Sequence, residues 1–144
     1  MLDTNICSFI IREKPASVLH RLQEVVQSRS RLVISAITYA ELLYGANSKK
    51  ASPKLMHIVR EFVERMDGVL PWDHKAVEHA AALKKTLETL GTPIGTNDVA
   101  IAGHALSEQC ILVTNNMGEF SRVPGLLVQD WVERSFLAPQ PRLL

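Results

Sequence analysis

Three acidic residues, Asp3, Glu41 and Asp98, stand where an alternating α/β chain would gather them. Each follows a short apolar, strand-like segment or opens an apolar helix. Carboxylates crowded into one place repel one another, and some stay protonated unless a cation shares the site. Hard oxygen ligands of this kind suit Mg²⁺ or Mn²⁺. A metal-dependent enzyme is therefore expected, with cleavage of phosphodiester bonds as its chemistry.

Each acid also has a plainer reading. Asp3, in Met-Leu-Asp-Thr-Asn, is either a metal ligand with Thr4 and Asn5 in support or simply a helix cap. Glu41 is the only acid between Ile37 and Gly45. A lone carboxylate on a mostly apolar helix is costly unless it is paired, metal-bound or turned to water. Asp98 heads the helix Asp98–Leu106, where the helix dipole alone would favour it. The loop Gly91–Asn97 holds Asp98 in place, and Ala100, Ala102, Gly103 and Ala105 let this helix press close to the sheet. Thr114-Asn115-Asn116-Met117-Gly118-Glu119-Phe120 follows the clearest strand candidate and should reach the same edge as Asp3. Asn116, as a neutral oxygen ligand or hydrogen-bond donor, and Glu119 would complete an acidic pocket. Otherwise they belong to an ordinary Asn/Gly turn.

The elements that must position these groups are legible in the apolar pattern. Leu32–Ser35, Gly68–Trp72, Cys110–Thr114 and Leu126–Trp131 read as short strands buried on both faces, as in parallel sheets. Between them lie helices capped by Asp3 or Thr4, by Ser35 or Thr38, by Asp73, and by Thr96 or Asn97. A further helix spans Ser17 to Val26, and another runs from Pro53 to near Gly68. The alternation implies βαβ units, with a two-helix insertion resembling a helical hairpin between the second and third strands. Only Met1 and Leu2 precede Asp3, whereas a buried strand usually has ~5 residues. The expectation is that the true start lies a few codons upstream. Residues 1–133 are expected to form one domain and 134–144 a disordered tail.

Bulk properties narrow the class. The 144 residues suffice for one domain, and 47% hydrophobic content supports a real core. No apolar run approaches the ~20 residues that span a bilayer, and no signal peptide is present, so a cytoplasmic protein without membrane contact is expected. Cys7 and Cys110 lack a C-x-x-C partner, so no zinc site is expected and both read as small buried hydrophobes. The net charge of +1 excludes binding nucleic acid by bulk charge alone. Phosphates would have to be met by a metal or a local basic patch. Lys49, Lys50 and Lys54 form one such run, equally readable as a solvated loop, and Arg31 and Arg122 lie elsewhere. His104 reads as packed or surface-exposed rather than catalytic. The other histidines have no matching partner spacing, and no Gly-rich phosphate loop, G-x-S-x-G or H-E-x-x-H motif occurs.

Taken together, Met-Leu-Asp-Thr-Asn-Ile-Cys, Ile-Thr-Tyr-Ala-Glu-Leu-Leu-Tyr-Gly-Ala, Gly-Thr-Asn-Asp-Val-Ala-Ile-Ala-Gly-His-Ala and Leu-Val-Thr-Asn-Asn-Met-Gly-Glu-Phe resemble the PIN-domain family. Within it they look like the VapC-type toxins of bacterial toxin–antitoxin pairs. The motifs occur in order from Met1 to about Trp131. The resemblance implies a PIN-like three-layer α/β/α fold with a parallel sheet of about five strands. It implies a Mg²⁺- or Mn²⁺-dependent endoribonuclease acting on RNA such as tRNA. It also implies a homodimer neutralised by a cognate VapB-like antitoxin. The family's first, second and third acids fall on Asp3, Glu41 and Asp98. Its fourth, usually Asp, falls on Asn116, where Glu119 one helical turn on can supply the charge.

The mechanism expected is hydrolysis of RNA by a metal-activated water. Asp3 and Asp98 hold the metal, and Glu41 orients or deprotonates the water. Thr4, Asn5, Thr114, Asn116 and Glu119 support them. Two alternatives stand beside it. One is a phosphatase-like enzyme with Asp3 as nucleophile, which lacks the second Asp such enzymes want at position 5. The other is a non-catalytic relic that only binds antitoxin or RNA.

Overall fold

Alternation along very short strands feeds two hydrophobic cores, one on each side of the sheet. Met1, Val33 and Leu112 enter one core, and their neighbours Leu2, Ile34 and Val113 enter the other. Successive strand side chains point to opposite faces, so each strand serves both layers. The structure is a computed structural model that describes residues 1–132, and the expected tail at 134–144 lies outside these residues.

Strand β1 (Val33–Ser35) pairs in parallel with β2 (Gly68–Leu70), and β3 (Leu112–Val113) with β4 (Val128–Gln129). Residues 1–3 lie between the two pairs. Leu2 N–H donates to Val33 O at 2.9 Å, Asp3 N–H to Val113 O at 2.9 Å, and Val113 N–H to Met1 O at 2.8 Å. Leu2 and Val113 form a parallel bridge. The order across the sheet is β2, β1, residues 1–3, β3, β4. Among the described residues the sheet therefore consists of four strands and a bridging segment. The strands are shorter than their apolar runs predict. Only β1 and β3 are buried on both faces, while β2 and β4 are half-buried because they are edges.

Helices α1 (Thr4–Ile11), α2 (Ala16–Gln27), α3 (Ala36–Ala46) and α4 (Leu55–Glu64) contribute to the core of Leu2, Ile34 and Val113. Helices α5 (His74–Thr89), α6 (Thr96–Ser107) and α7 (Met117–Phe120) contribute to the core of Met1, Val33 and Leu112. The arrangement is α/β/α. Helices α3 and α4 pack on each other between β1 and β2, and α5 and α6 pack on each other between β2 and β3.

Asp3 caps α1, Ser35 caps α3 and Asp73 caps α5, each accepting a backbone N–H of the first turn. Helix α6 departs from expectation. It starts at Thr96, Gly95 occupies the cap position, and no side chain caps it. Asp98 is thus the third helical residue rather than the first, and the Asn97 side chain is turned to another task, described below. Helix α5 ends through Gly91 at φ 71°, with Thr92 N–H donating to Leu87 O at 2.9 Å. That stop starts the short loop into α6.

Helices α5 and α6 make the most extensive contact of any helix pair among the described residues. A Cβ on Gly103 would stand 2.6 Å from Ala80 Cα and 2.6 Å from Ala80 N. Beside this contact His104 is fully buried, with Nδ1 2.8 Å from Ser35 Oγ. Burial lowers the imidazole pKa, so the ring is neutral and ties α6 to the end of β1. This is a packing role, in line with the sequence reading.

Gly103→Ala should therefore cost about 3 kcal/mol or more, because backbone rather than a flexible side chain must move. Gly45→Ala in α3, where a Cβ meets nothing within 4 Å, should be neutral or stabilising by roughly 0.5–1 kcal/mol. Urea denaturation of both variants measures the contrast, and equal midpoints would refute the close-packing account.

Candidate active site

The candidate residues meet at the C-terminal edge of the sheet by different routes, and Asp98 comes from the first turn of α6, which follows α5 and not a strand. Asp3 follows the bridging segment, and Thr114 follows β3. Ser35 ends β1 and launches α3, which carries Glu41. Asp3, Thr4, Asn5, Glu41, Asp98, Ile101 and Asn116 line one cavity of about 180 Å³. Thr114 and Glu119 do not line it, but each touches a carboxyl group that does.

Asp3 is 4% exposed. Its Oδ1 accepts Ile6 N–H at 2.9 Å, and the Thr114 side chain hydrogen-bonds the same carboxylate. Burial raises its pKa, the hydrogen bonds oppose that rise, and the charge on Glu41 adds to it. Asp3 is thus both the helix cap and a member of the acidic site, so its two sequence readings hold together. Glu41 is held at both oxygens. Thr4 Oγ1 donates to Oε1 at 2.7 Å, and Asn97 Nδ2 donates to Oε2 at 3.2 Å.

The strongest electrostatic conflict lies between Asp98 and Glu119. Partial burial, the hydrogen bond with Glu119 and the charges of Glu119, Asp3 and Glu41 push Asp98 up to about 7. Glu119 moves the other way, chiefly because protonated Asp98 donates to it, with help from Gly95 N–H, Asn116 and Arg122. Its Oε2 is buried and has no hydrogen-bond partner among the described residues. Two carboxyl groups that share one proton near neutral pH titrate as a pair. A Cβ on Gly95 would lie 3.4 Å from Asp98 Oδ2, so this bare cap leaves the pair room.

The residues fit a hard divalent cation in donor chemistry. The cavity offers carboxylate, hydroxyl and amide oxygens and no sulfur or imidazole. A cation could take the place of the proton that Asp98 and Glu119 share. Among the described residues, however, no three His, Cys, Asp or Glu side chains meet as a ready-made metal cluster. The crowding expected from sequence is therefore looser than a closed cage. That is compatible with Mg²⁺, which keeps several waters and uses one or two carboxylates.

The structure brings together Asp3, Thr4, Asn5, Glu41, Asp98, Asn116, Thr114 and Glu119 as expected. Sequence reasoning missed Asn97, taken there only as a possible cap, and Gly95. Nothing in the Thr-Asn-Asp run marked Asn97, because its role depends on a contact with Glu41, 56 residues away in the chain. A second cavity of about 300 Å³ adjoins the first, sharing Thr4, Asn5 and Glu41 and running past Ser8 and Arg12 to Leu55 and Val59.

Comparison with known proteins agrees with this geometry. The PIN domain family model matches residues 1–126. The tRNA(fMet)-specific endonuclease VapC of Salmonella typhimurium is 41% identical over 131 residues, covering 91% of this chain and 96% of that protein. The protein of the same name from Shigella flexneri is 43% identical over 131 residues, with the same coverage of 91% and 96%. Among solved structures, the DNA-bound VapBC of Salmonella typhimurium aligns with a TM-score of 0.82 at 40% identity, over 91% of this chain and 96% of that one. A VapBC complex of Rickettsia felis bound to promoter DNA gives 0.82 at 36% identity, over 91% and 97%.

The shared proton makes stability depend on pH. Asp98 titrates at about 7 in the folded chain against an ordinary 3.8 when unfolded. The folded state thus holds a proton that the unfolded chain releases. The resulting stability is full below the unfolded value and is lost as pH rises through about 7. His104, with its lowered pKa, acts in the opposite sense and costs stability as pH falls below 6.5. Asp98→Asn removes the first effect and leaves the second. In EDTA at pH 8 the variant should melt higher than wild type by roughly 2–4 °C, about 1 kcal/mol after solvent screening, and the gap should close by pH 4. Parallel melting curves across this range would refute the shared-proton assignment.

Proposed function

The chain belongs to the PIN-domain family, in its VapC-type branch, and we propose that it is a divalent-cation-dependent endoribonuclease. Its substrate is RNA, with tRNA as the first candidate because similar proteins are named tRNA(fMet)-specific endonucleases. The observation that carries the reading is the set of opposed carboxyl groups around one cavity, with Asp98 raised to about 7 against Glu119. Such a set is unfavourable for the fold and suited to a cation-assisted attack on a phosphodiester.

Asp3 and Asp98 would hold Mg²⁺ or Mn²⁺, with the buried Glu119 oxygen beside them. When bound, the cation neutralises charge on the scissile phosphate and lowers the pKa of a water. Glu41 is the group placed to orient that water and take its proton. Thr4 and Asn97 occupy one site on each of its oxygens and fix its orientation. Thr114 and the Ile6 amide fix Asp3 in the same way. Asn116, which opens α7, keeps Glu119 turned toward Asp98.

The phosphatase-like alternative is disfavoured because position 5 is Asn, where such enzymes want a second Asp. The relic reading, which Asn116 in place of the family's fourth acid favours, predicts RNA or antitoxin binding without metal-dependent cleavage. A VapB-like antitoxin is the proposed partner, supported by the VapBC complexes that share the fold. A homodimer is proposed from family membership. No helix among the described residues is long and apolar enough to cross a membrane.

The test is cleavage of total tRNA by purified, antitoxin-free protein. Discrete cutting is expected with Mg²⁺ or Mn²⁺ and none with EDTA. Asp98→Asn and Glu41→Gln should each lower the rate at least ~100-fold while circular dichroism stays unchanged. Full activity in EDTA would end the metal-dependent reading, and wild-type turnover by Asp98→Asn would end the residue assignment.

A further inference from the structure

Tyr44 is the most exposed large hydrophobic side chain among the described residues, at 84%. The side chain belongs to neither core, and its hydroxyl makes no hydrogen bond among the described residues. A ring held in water contributes nothing to packing, so its position calls for a partner. Tyr44 stands one helical turn beyond Glu41 on α3, and residues three apart on a helix are surface neighbours. Glu41 lines both the acidic cavity and the adjoining groove, and Gly45, next to the ring, lines the groove. Ala40 and Gly45 beside it are exposed and small, leaving the faces of the ring open.

Just past α3 the chain turns compactly. Ser48 N–H donates to Gly45 O at 3.3 Å, and Ala51 N–H donates to Ser48 O at 3.0 Å. The turn between carries Lys49 and Lys50, both exposed and without a carboxylate partner among the described residues. An open aromatic face with adjacent free cations is the combination that binds single-stranded nucleic acid. It also answers the charge problem, since a chain of net charge +1 must meet phosphates locally. A protein partner fits less well. None of the other exposed large apolar side chains lies on α3.

We propose that Tyr44 and the Lys49–Lys50 turn form a subsite for single-stranded RNA beside the cleavage centre. Tyr44 stacks on an unpaired base, and the lysines meet the phosphates flanking it. This rests on the ribonuclease reading, but its test does not depend on cleavage.

The experiment is equilibrium binding of a fluorescent single-stranded RNA oligonucleotide to antitoxin-free protein in EDTA, alongside steady-state tRNA cleavage, melting temperature and solution mass. Tyr44→Ala should weaken binding and raise KM by roughly five- to a hundredfold, with kcat within about twofold. Tyr44→Phe, which keeps the ring, should restore both. Replacing Lys49 and Lys50 together by Gln should lower the salt dependence of binding by about 1–1.5 in log–log slope. Melting temperatures should not move. Unchanged binding by Tyr44→Ala overturns the proposal, as does equal loss in the Phe variant or an oligonucleotide that wild type does not bind. A halved solution mass for Tyr44→Ala would make the ring an interface residue and would also overturn it. Wild type that binds RNA in a Tyr44-dependent way but cuts nothing would keep the subsite and reject the nuclease.

Discussion

Residues 1–3 tie together the sheet, both cores and the acidic site. Their backbone joins β1 to β3, so the two strand pairs become one sheet. Met1 and Leu2 alternate into the two cores, so the same residues hold both helical layers. Asp3 then caps α1 and enters the acidic cavity. Sheet continuity, core packing and the first carboxylate of the site thus depend on one central, buried stretch. A change in its register would turn each side chain to the opposite face, exchanging the cores and withdrawing Asp3 together.

The site at the end of that segment works against the fold. Burial and mutual repulsion raise Asp3 and Asp98, and one proton is shared where separate, hydrated carboxyl groups would hold none at neutral pH. The surrounding structure keeps the acids in place through short, specific hydrogen bonds. Thr114 and Ile6 hold Asp3, Thr4 and Asn97 hold Glu41, and Gly95 and Asn116 hold Glu119. Strong perturbation of titratable groups in a cleft is where function concentrates. Here the close seating of α6 supplies the rigidity. Gly103 lies against Ala80, and the neutral His104 bonds to Ser35 at the end of β1. That contact fixes the helix whose first turn carries Asn97 and Asp98.

The near-neutral surface places the burden of recognition on local features. The 300 Å³ groove beside the acidic cavity is framed by α1, α3 and α4. Tyr44 and the lysine turn lie outside it, at the end of the same α3 that carries Glu41. Helix α3 therefore presents Glu41, a groove wall and an exposed ring along one length.

Much of the site was legible in the residues themselves. Lone acids after apolar runs marked Asp3, Glu41, Asp98 and Glu119, because a carboxylate beside a core needs a reason to be there. Alternating short apolar runs and helical spacing marked the α/β class and the strand positions, since both periodicities are local properties of the chain. The sequence alone did not disclose where each strand stops, because lateral hydrogen bonding sets those ends. It placed the start of α6 late, because Asn97 looks like a cap until Glu41 is brought within 3.2 Å of it. It gave no sign that Asp98 and Glu119 would share a proton, which requires two segments that only packing of α6 and α7 brings together. Residue types and periods determined which groups could do chemistry. Only the tertiary structure decided which of them face one another, because pairwise electrostatics and hydrogen bonds depend on distances between residues remote in the chain.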